Sequence, residues 1–332
     1  MKTGLFCNYE DHHQSAQRAI SEQVRLVKHA ESLGFEEVWV TEHHFNDFSV
    51  SSSILVLIAH LAAVTSTIRL GSAAVLLAFH NPIIVAESIA TLDHLCYGRL
   101  ALGIAKGGPF PEQNKHFDTP INEAIAKTLE AMTLIHKLLY QDNVSFHGKY
   151  FQCSNLTIYP KPLQKRIPVY LATSDPEAIG FAAINSFGLM GGVQFSVEKL
   201  KSNIAKYQAI NSSGAEKLIL ARFCFVARTY DEAVYEGLPF IHAFKQRMKA
   251  FQTKVPSFDC NQHQQSVVPE CLNQESLLEN SIIGDPLTCR DKIKRLQDEL
   301  NVATIALKPA SFDLQENLES LTRYNQEVQN YV

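Results

Sequence analysis

The sequence has no CxxC pair and no even set of cysteines. Its seven cysteines are scattered from Cys7 to Cys289. That pattern excludes a disulfide frame and a zinc knuckle, and it predicts reduced thiols in a cytoplasmic protein. No apolar run approaches the roughly 18 residues that a membrane span needs. No N-terminal leader pattern is present, because Lys2-Thr3-Gly4-Leu5-Phe6 already reads as a strand. Basic charge is not in excess: 30 Lys and Arg stand against 34 Asp and Glu, a net charge of −4. Neither nucleic acid nor an anionic membrane is therefore an expected partner. A GxGxxG dinucleotide fingerprint and low-complexity tracts are also absent.

What is present is a long, apolar, regularly alternating chain. Its 332 residues, 46% of them hydrophobic, can fill a large core. Strand-like and helix-like stretches alternate almost throughout, the pattern of βα units around a parallel sheet. Strands are predicted at Thr3–Tyr9, Glu36–Phe45, Arg69–Leu77, Arg99–Ala105, Pro168–Ala172, Phe187–Gly191, Lys217–Ala227 and Thr304–Leu307. Eight strands in this order predict a single α/β domain over 1–332, a (β/α)8 TIM barrel. Residues 142–160 break the rhythm as a small hairpin insertion. Residues 253–281 are polar, without a trusted period, and read as a long lid-like loop.

Two helices carry extra information. The predicted second helix, from Ser53 to about Thr65, is apolar on most of its circumference. A barrel's outer helix needs only one apolar stripe, so a second burial in a subunit interface is expected. The helix opening at Thr173-Ser174-Asp175-Pro176-Glu177 fits a capping box between Ser174 and Glu177.

The chemistry points to Glu36–Phe45. A β-branched and aromatic strand closes there with Glu42, His43 and His44. Ionisable groups at the C-terminal end of a strand are how an α/β barrel presents an active site. Adjacent strand residues face opposite sides, so His43 and His44 cannot both enter the barrel mouth if the strand persists. That divergence, with the lack of an HxH pair, weakens a metal-dependent hydrolase built on Glu42, His43 and His44.

Four stretches in order resemble the bacterial luciferase-like family of flavin-dependent monooxygenases. They are Gly34-Phe35-Glu36-Glu37-Val38-Trp39 with Glu42-His43-His44-Phe45, then Gly71-Ser72-Ala73-Ala74. Gly98-Arg99-Leu100-Ala101-Leu102-Gly103-Ile104 and Pro168-Val169-Tyr170-Leu171-Ala172 complete the set. The resemblance runs to about residue 195 and returns at Gly284-Asp285-Pro286. It implies the closed barrel, a homodimer on the second and third helices, and reduced FMN as cosubstrate. Oxygen activated on that flavin would deliver one atom to a small organic substrate. With no dinucleotide fingerprint, a separate NAD(P)H:flavin reductase is the expected partner.

The resemblance also assigns residues. His43 matches the histidine beside flavin and substrate, a catalytic role, with Glu42 at its side. Ala73 and Ala74 match the pair beneath the flavin ring, where some relatives have a non-proline cis peptide. For the phosphate, Lys106 stands where luciferases carry an arginine, Gly107 and Gly108 let backbone approach, and Ser174 and Asp175 open a helix. Two departures stand out. Ala105 replaces a reactive cysteine, and Ile125 replaces a second arginine, with Lys127 nearby. Light emission is accordingly not expected. The rival readings are a deazaflavin (F420)-dependent oxidoreductase on the same barrel and a non-catalytic flavin-binding protein.

Overall fold

The computed structural model describes residues 1–108, 110–212, 217–253 and 274–331. Eight parallel strands run in chain order: β1 Lys2–Cys7, β2 Glu37–Val40, β3 Arg69–Ser72, β4 Leu100–Ala105, β5 Val169–Ala172, β6 Gly188–Gly191, β7 Leu218–Val226 and β8 Val302–Pro309. Each pairs with its sequence neighbours, and β8 pairs with β1, so the sheet closes on itself as a (β/α)8 barrel.

Helices α1 Ala16–Ser32, α2 Ile54–Val64, α3 Pro82–Leu95, α4 Ala124–Tyr140, α5 Pro176–Ile184, α6 Val197–Gln208, α7 Tyr230–Thr253, α8 Pro286–Leu300 and α9 Leu314–Glu327 link the strands. Their ends follow from local chemistry. The Ser15 hydroxyl accepts from Arg18 N at the start of α1. Gly34, at φ +81°, reverses the chain after it. Asn81 caps α3 through Ile83 N and Ile84 N, with Pro82 in the first turn, where a missing N–H costs nothing.

Strand alternation divides the core. Val38 and Val40 face the helices, in a buried layer with Leu5, Leu70, Leu102 and Ile305. Trp39 faces the barrel axis with Ala101, Met190, Ile219, Ala221 and Phe223. The Trp39 indole is fully buried, donates from Nε1 to Glu37 Oε2 at 3.1 Å and meets the Tyr170 ring edge-on at 5.4 Å. Space for it comes from Gly71, where an added Cβ would lie 2.3 Å from the indole.

Several boundaries differ from the sequence reading. The third strand stops at Ser72, and a short strand, Val75–Leu76, follows beside β4. The stretch before α4 holds a short helix, Pro111–His116, where only loop was expected. It presents several uncharged polar and basic residues, so no apolar period betrays it. The eighth strand is longer than predicted and takes in Lys308. The hairpin is present, Val144–His147 against Gln152–Leu156, and Glu130 accepts from Lys149 N, Tyr150 N and Phe151 N at its turn. Of the lid-like loop, α7 reaches Thr253 and Gln274–Glu279 is helical. The rest lies outside the described residues. An unforeseen strand, Ile282–Gly284, pairs with β7. The five described cysteines, Cys7, Cys96, Cys153, Cys224 and Cys289, are free thiols. Among the described residues no helix is long and apolar enough to cross a membrane.

Candidate active site

The C-terminal ends of the strands gather the ionisable residues. After Val40 the chain leaves strand geometry, and the Glu42-His43-His44 side chains take separate directions. His43 turns toward β1, with Nε2 3.0 Å from Asn8 Oδ1, and lies beside the Phe48 ring. His44 turns the other way and donates from Nε2 to Glu42 Oε1 at 2.7 Å. The strand whose alternation would have separated the two imidazoles ends at Val40; each is instead drawn to a different partner.

Glu42 takes a different part from the one its neighbour suggested. Its side chain is fully buried. Oε1 accepts from both His44 and His80, at 2.7 and 2.6 Å, and Oε2 accepts from Leu76 N at 3.1 Å. Glu42 thus braces two imidazoles and the short strand Val75–Leu76 that follows β3. Burial pushes its carboxyl up, but the two imidazole hydrogen bonds outweigh that and hold it below the usual range. Glu42, His44 and His80 are the one group among the described residues with metal-ligand composition, all three ligand atoms lying within 4.8 Å. Their 2.6 and 2.7 Å contacts are hydrogen-bond lengths. Ligands about 2 Å from a tetrahedral ion keep roughly 3.3 Å apart. His80 was missed in the sequence; it follows the end of the neighbouring strand, which is the signal that could have found it.

A second buried group joins β1 to β8. The Lys308 ammonium lies 2.9 Å from Glu10 Oε1, and the His12 ring is 3.4 Å from Glu10 Oε2. Asn8 Nδ2 also donates to Glu10 Oε1, at 3.0 Å. Lys308 is walled by Phe223, Phe240 and Phe244, with its Nζ 5.1 to 5.6 Å from their ring centres. Phe240 and Phe244 come from α7, which therefore packs against this side of the mouth. Burial alone would raise the Glu10 carboxyl, yet the Lys308 charge and the His12 hydrogen bond hold it well below the usual range. His43 is pushed down to about 4, first by burial and then by the Lys308 cation. None of Asn8, Glu10 or Lys308 was singled out in the sequence. A lysine closing an apolar strand at a barrel mouth is the cue that could have flagged it.

The Ala73–Ala74 peptide is cis and directly follows β3. Ser72 Oγ donates to Gly103 O and accepts from Gly103 N, bringing β3 and β4 together there. A Cβ on Gly103 would lie 2.1 Å from Ser72 O, so only glycine fits this approach. Lys106 follows β4 and makes no ion pair or hydrogen bond among the described residues, whereas Gly107 takes φ +96°. The expected capping box at Ser174 is not formed. Asp175 is the N-cap of α5 and accepts from Glu177 N at 2.9 Å and Ala178 N at 3.2 Å. With Pro176 lacking an N–H and Ile179 N bonded to Asp175 O, that first turn has no amide left for a phosphate. The Ser174 hydroxyl makes no hydrogen bond among the described residues. Lys127, near the position of the missing second arginine, donates from Nζ to Thr119 Oγ1 at 2.7 Å.

A family model described as luciferase-like monooxygenase matches residues 1–300. The chain belongs to that family. Among curated relatives, limonene 1,2-monooxygenase of Rhodococcus erythropolis is 27% identical over 85% of this chain and 73% of its own. The oxygenase component of flavin-dependent trigonelline monooxygenase from Acinetobacter baylyi is 28% identical over 70% and 67%. An F420-dependent glucose-6-phosphate dehydrogenase of Kineococcus radiotolerans is 32% identical over 46% and 47%. The chain spans about half the length of that dehydrogenase and of an uncharacterized Sinorhizobium fredii protein, 33% identical over 51% of the latter's length. The fold is shared with monooxygenase RslO1 from Streptomyces bottropensis, at a TM-score of 0.83, 22% identity and 99% coverage of both chains. It is shared also with the FMN complex of the oxygenating constituent of 3,6-diketocamphane monooxygenase from Pseudomonas putida. That match has a TM-score of 0.81 and 18% identity over 100% of this chain and 99% of the other.

Proposed function

We propose that this luciferase-like chain is the oxygenase of a two-component monooxygenase. In this reading it takes reduced FMN from a separate NAD(P)H:flavin reductase and works on a small organic substrate. The observation that carries the reading is the position of His43 at the C-terminal end of the barrel, where its Nε2 meets Asn8 Oδ1 while His44 and His80 are both taken up by Glu42. The donor set fits the flavin. Ala73 and Ala74, directly after β3, offer small groups for a flat ring. Lys106 and Ser174 follow paired strands and remain free for a phosphate. The naming of a relative as an oxygenase component supports the separate reductase.

Bound flavin would supply the activation of oxygen. The protein's part is to hold the ring against the small residues after β3, to anchor the phosphate at the rim, and to keep water from the centre with the aromatic wall of Phe223, Phe240 and Phe244. His43 would accept a proton or a hydrogen bond from the substrate.

Replacing His43 by alanine should lower turnover by about 100-fold or more while reduced-FMN affinity stays within about threefold. Stopped-flow turnover and anaerobic titration read the two separately; unchanged turnover would remove His43 from the mechanism. A second reading, hydride transfer with F420, is favoured by the F420-dependent relative and by the shared fold of an F420-dependent secondary alcohol dehydrogenase, TM-score 0.77.

A further inference from the structure

We propose that Asn8, locked in place by the Glu10–Lys308 ion pair, is a positioning residue that fixes His43 as the tautomer protonated on Nε2, leaving Nδ1 as its basic atom. This rests on the reading of His43 as the working base.

The argument is one of donors and acceptors. A carboxylate only accepts, so the 3.0 Å contact at Glu10 Oε1 must come from the Asn8 amide nitrogen. That contact decides the orientation of the Asn8 side chain, which is otherwise ambiguous between O and N. Oδ1 therefore faces His43 Nε2, at 3.0 Å. An amide oxygen cannot donate, so Nε2 must carry the hydrogen. The Thr41 hydroxyl donates to the same oxygen at 2.9 Å and reinforces the orientation. His43 Nδ1 has no hydrogen-bond partner among the described residues.

The charges around His43 support a neutral ring. Lys308 on β8 and His44 after β2 disfavour the imidazolium; Glu10 after β1 and Glu42 after β2 favour it. From α7, Arg247 stacks over Phe48, which is itself against His43. Burial and Lys308 prevail. The Glu10–Lys308 pair thus acts twice: Glu10 orients Asn8, and Lys308 cancels the carboxylate that would otherwise draw a second proton onto His43. The imidazole is set in advance, with one nitrogen anchored and the other free to take a proton.

Nitrogen shifts of 15N-histidine-labelled protein without flavin test this directly, with His43→Gln used to assign the signal. The expected result is a protonated-type Nε2 and an unprotonated-type Nδ1, constant from about pH 5.5 to 8.5. Asn8→Ala should move both signals toward a tautomer average and lower turnover by about tenfold or more. Flavin affinity should stay unchanged. Lys308→Met should bring the titration of His43 up into the measured range. A wild-type ring protonated on Nδ1, or an Asn8→Ala ring still wholly protonated on Nε2, would overturn the proposal; the first needs no variant to fold. Because the shifts are read without cofactor, a failure of flavin binding would sink the functional reading while leaving the tautomer result to stand or fall alone.

Discussion

His43 differs from a histidine in water by its surroundings alone. An ordinary imidazole is half charged near pH 6.5; His43, half-buried and under the influence of the Lys308 cation, is held down to about 4. Its folded pKa lies below its unfolded one. It therefore contributes stability that is fully present above about pH 6.5 and is lost as the pH falls toward about 4. The carboxyls of Glu10 and Glu42 are depressed, so their contribution is present above the ordinary carboxylate range and lost as pH falls through their lowered values. Oxygen consumption with reduced FMN should accordingly show no acid limb near pH 6.5. A pH profile from about 5 to 8 checks this, and a half-maximum near 6.5 would mean that His43 titrates normally. At this scale the sequence was legible where the strand end announced itself, as at His43. It was not legible where partners come from other strands. Lys308 meets Glu10 because closure of the barrel sets β8 beside β1, and His80 meets Glu42 across the β2–β3 pairing.

The elements show why a barrel of this sequence packs in one way. Trp39, between Val38 and Val40, needs the interior side of β2, and the absence of a side chain at Gly71 on β3 makes room for it. Tyr170 and Glu37 hold the indole from other sides, so it cannot retreat. Gly71→Ala should therefore cost about 1–3 kcal/mol of stability, seen as a lower urea midpoint with an unchanged denaturant slope. An unaltered midpoint would show that the indole yields. Strand periodicity gave the eight elements, because alternation and length survive in a single sequence. Short helices did not show through: Pro111–His116 has too few turns to establish a period, and the start of α5 depends on which of two adjacent side chains, Ser174 or Asp175, reaches the amides.

For the whole molecule, the barrel leaves an apolar face on adjoining helices α2 and α3. Val56 is 69% exposed, Ile84 62% and Leu95 54%. The homodimer proposed here would cover that face. Val56→Lys with Ile84→Lys should shift sedimentation from dimer to monomer, and a wild-type chain that sediments as a monomer would refute the dimer. The overall architecture was the most legible level, since βα alternation leaves few topologies; the choice of cofactor was the least, since one barrel serves both flavin and F420 among the relatives. The decisive measurement is an anaerobic titration of the protein with reduced FMN in competition with reduced F420, repeated with Lys106→Met. Saturable binding of reduced FMN in preference to F420, weakened about tenfold by loss of the lysine charge, is the expected result. Preferential binding of F420, or FMN binding indifferent to Lys106, would contradict the site proposed here.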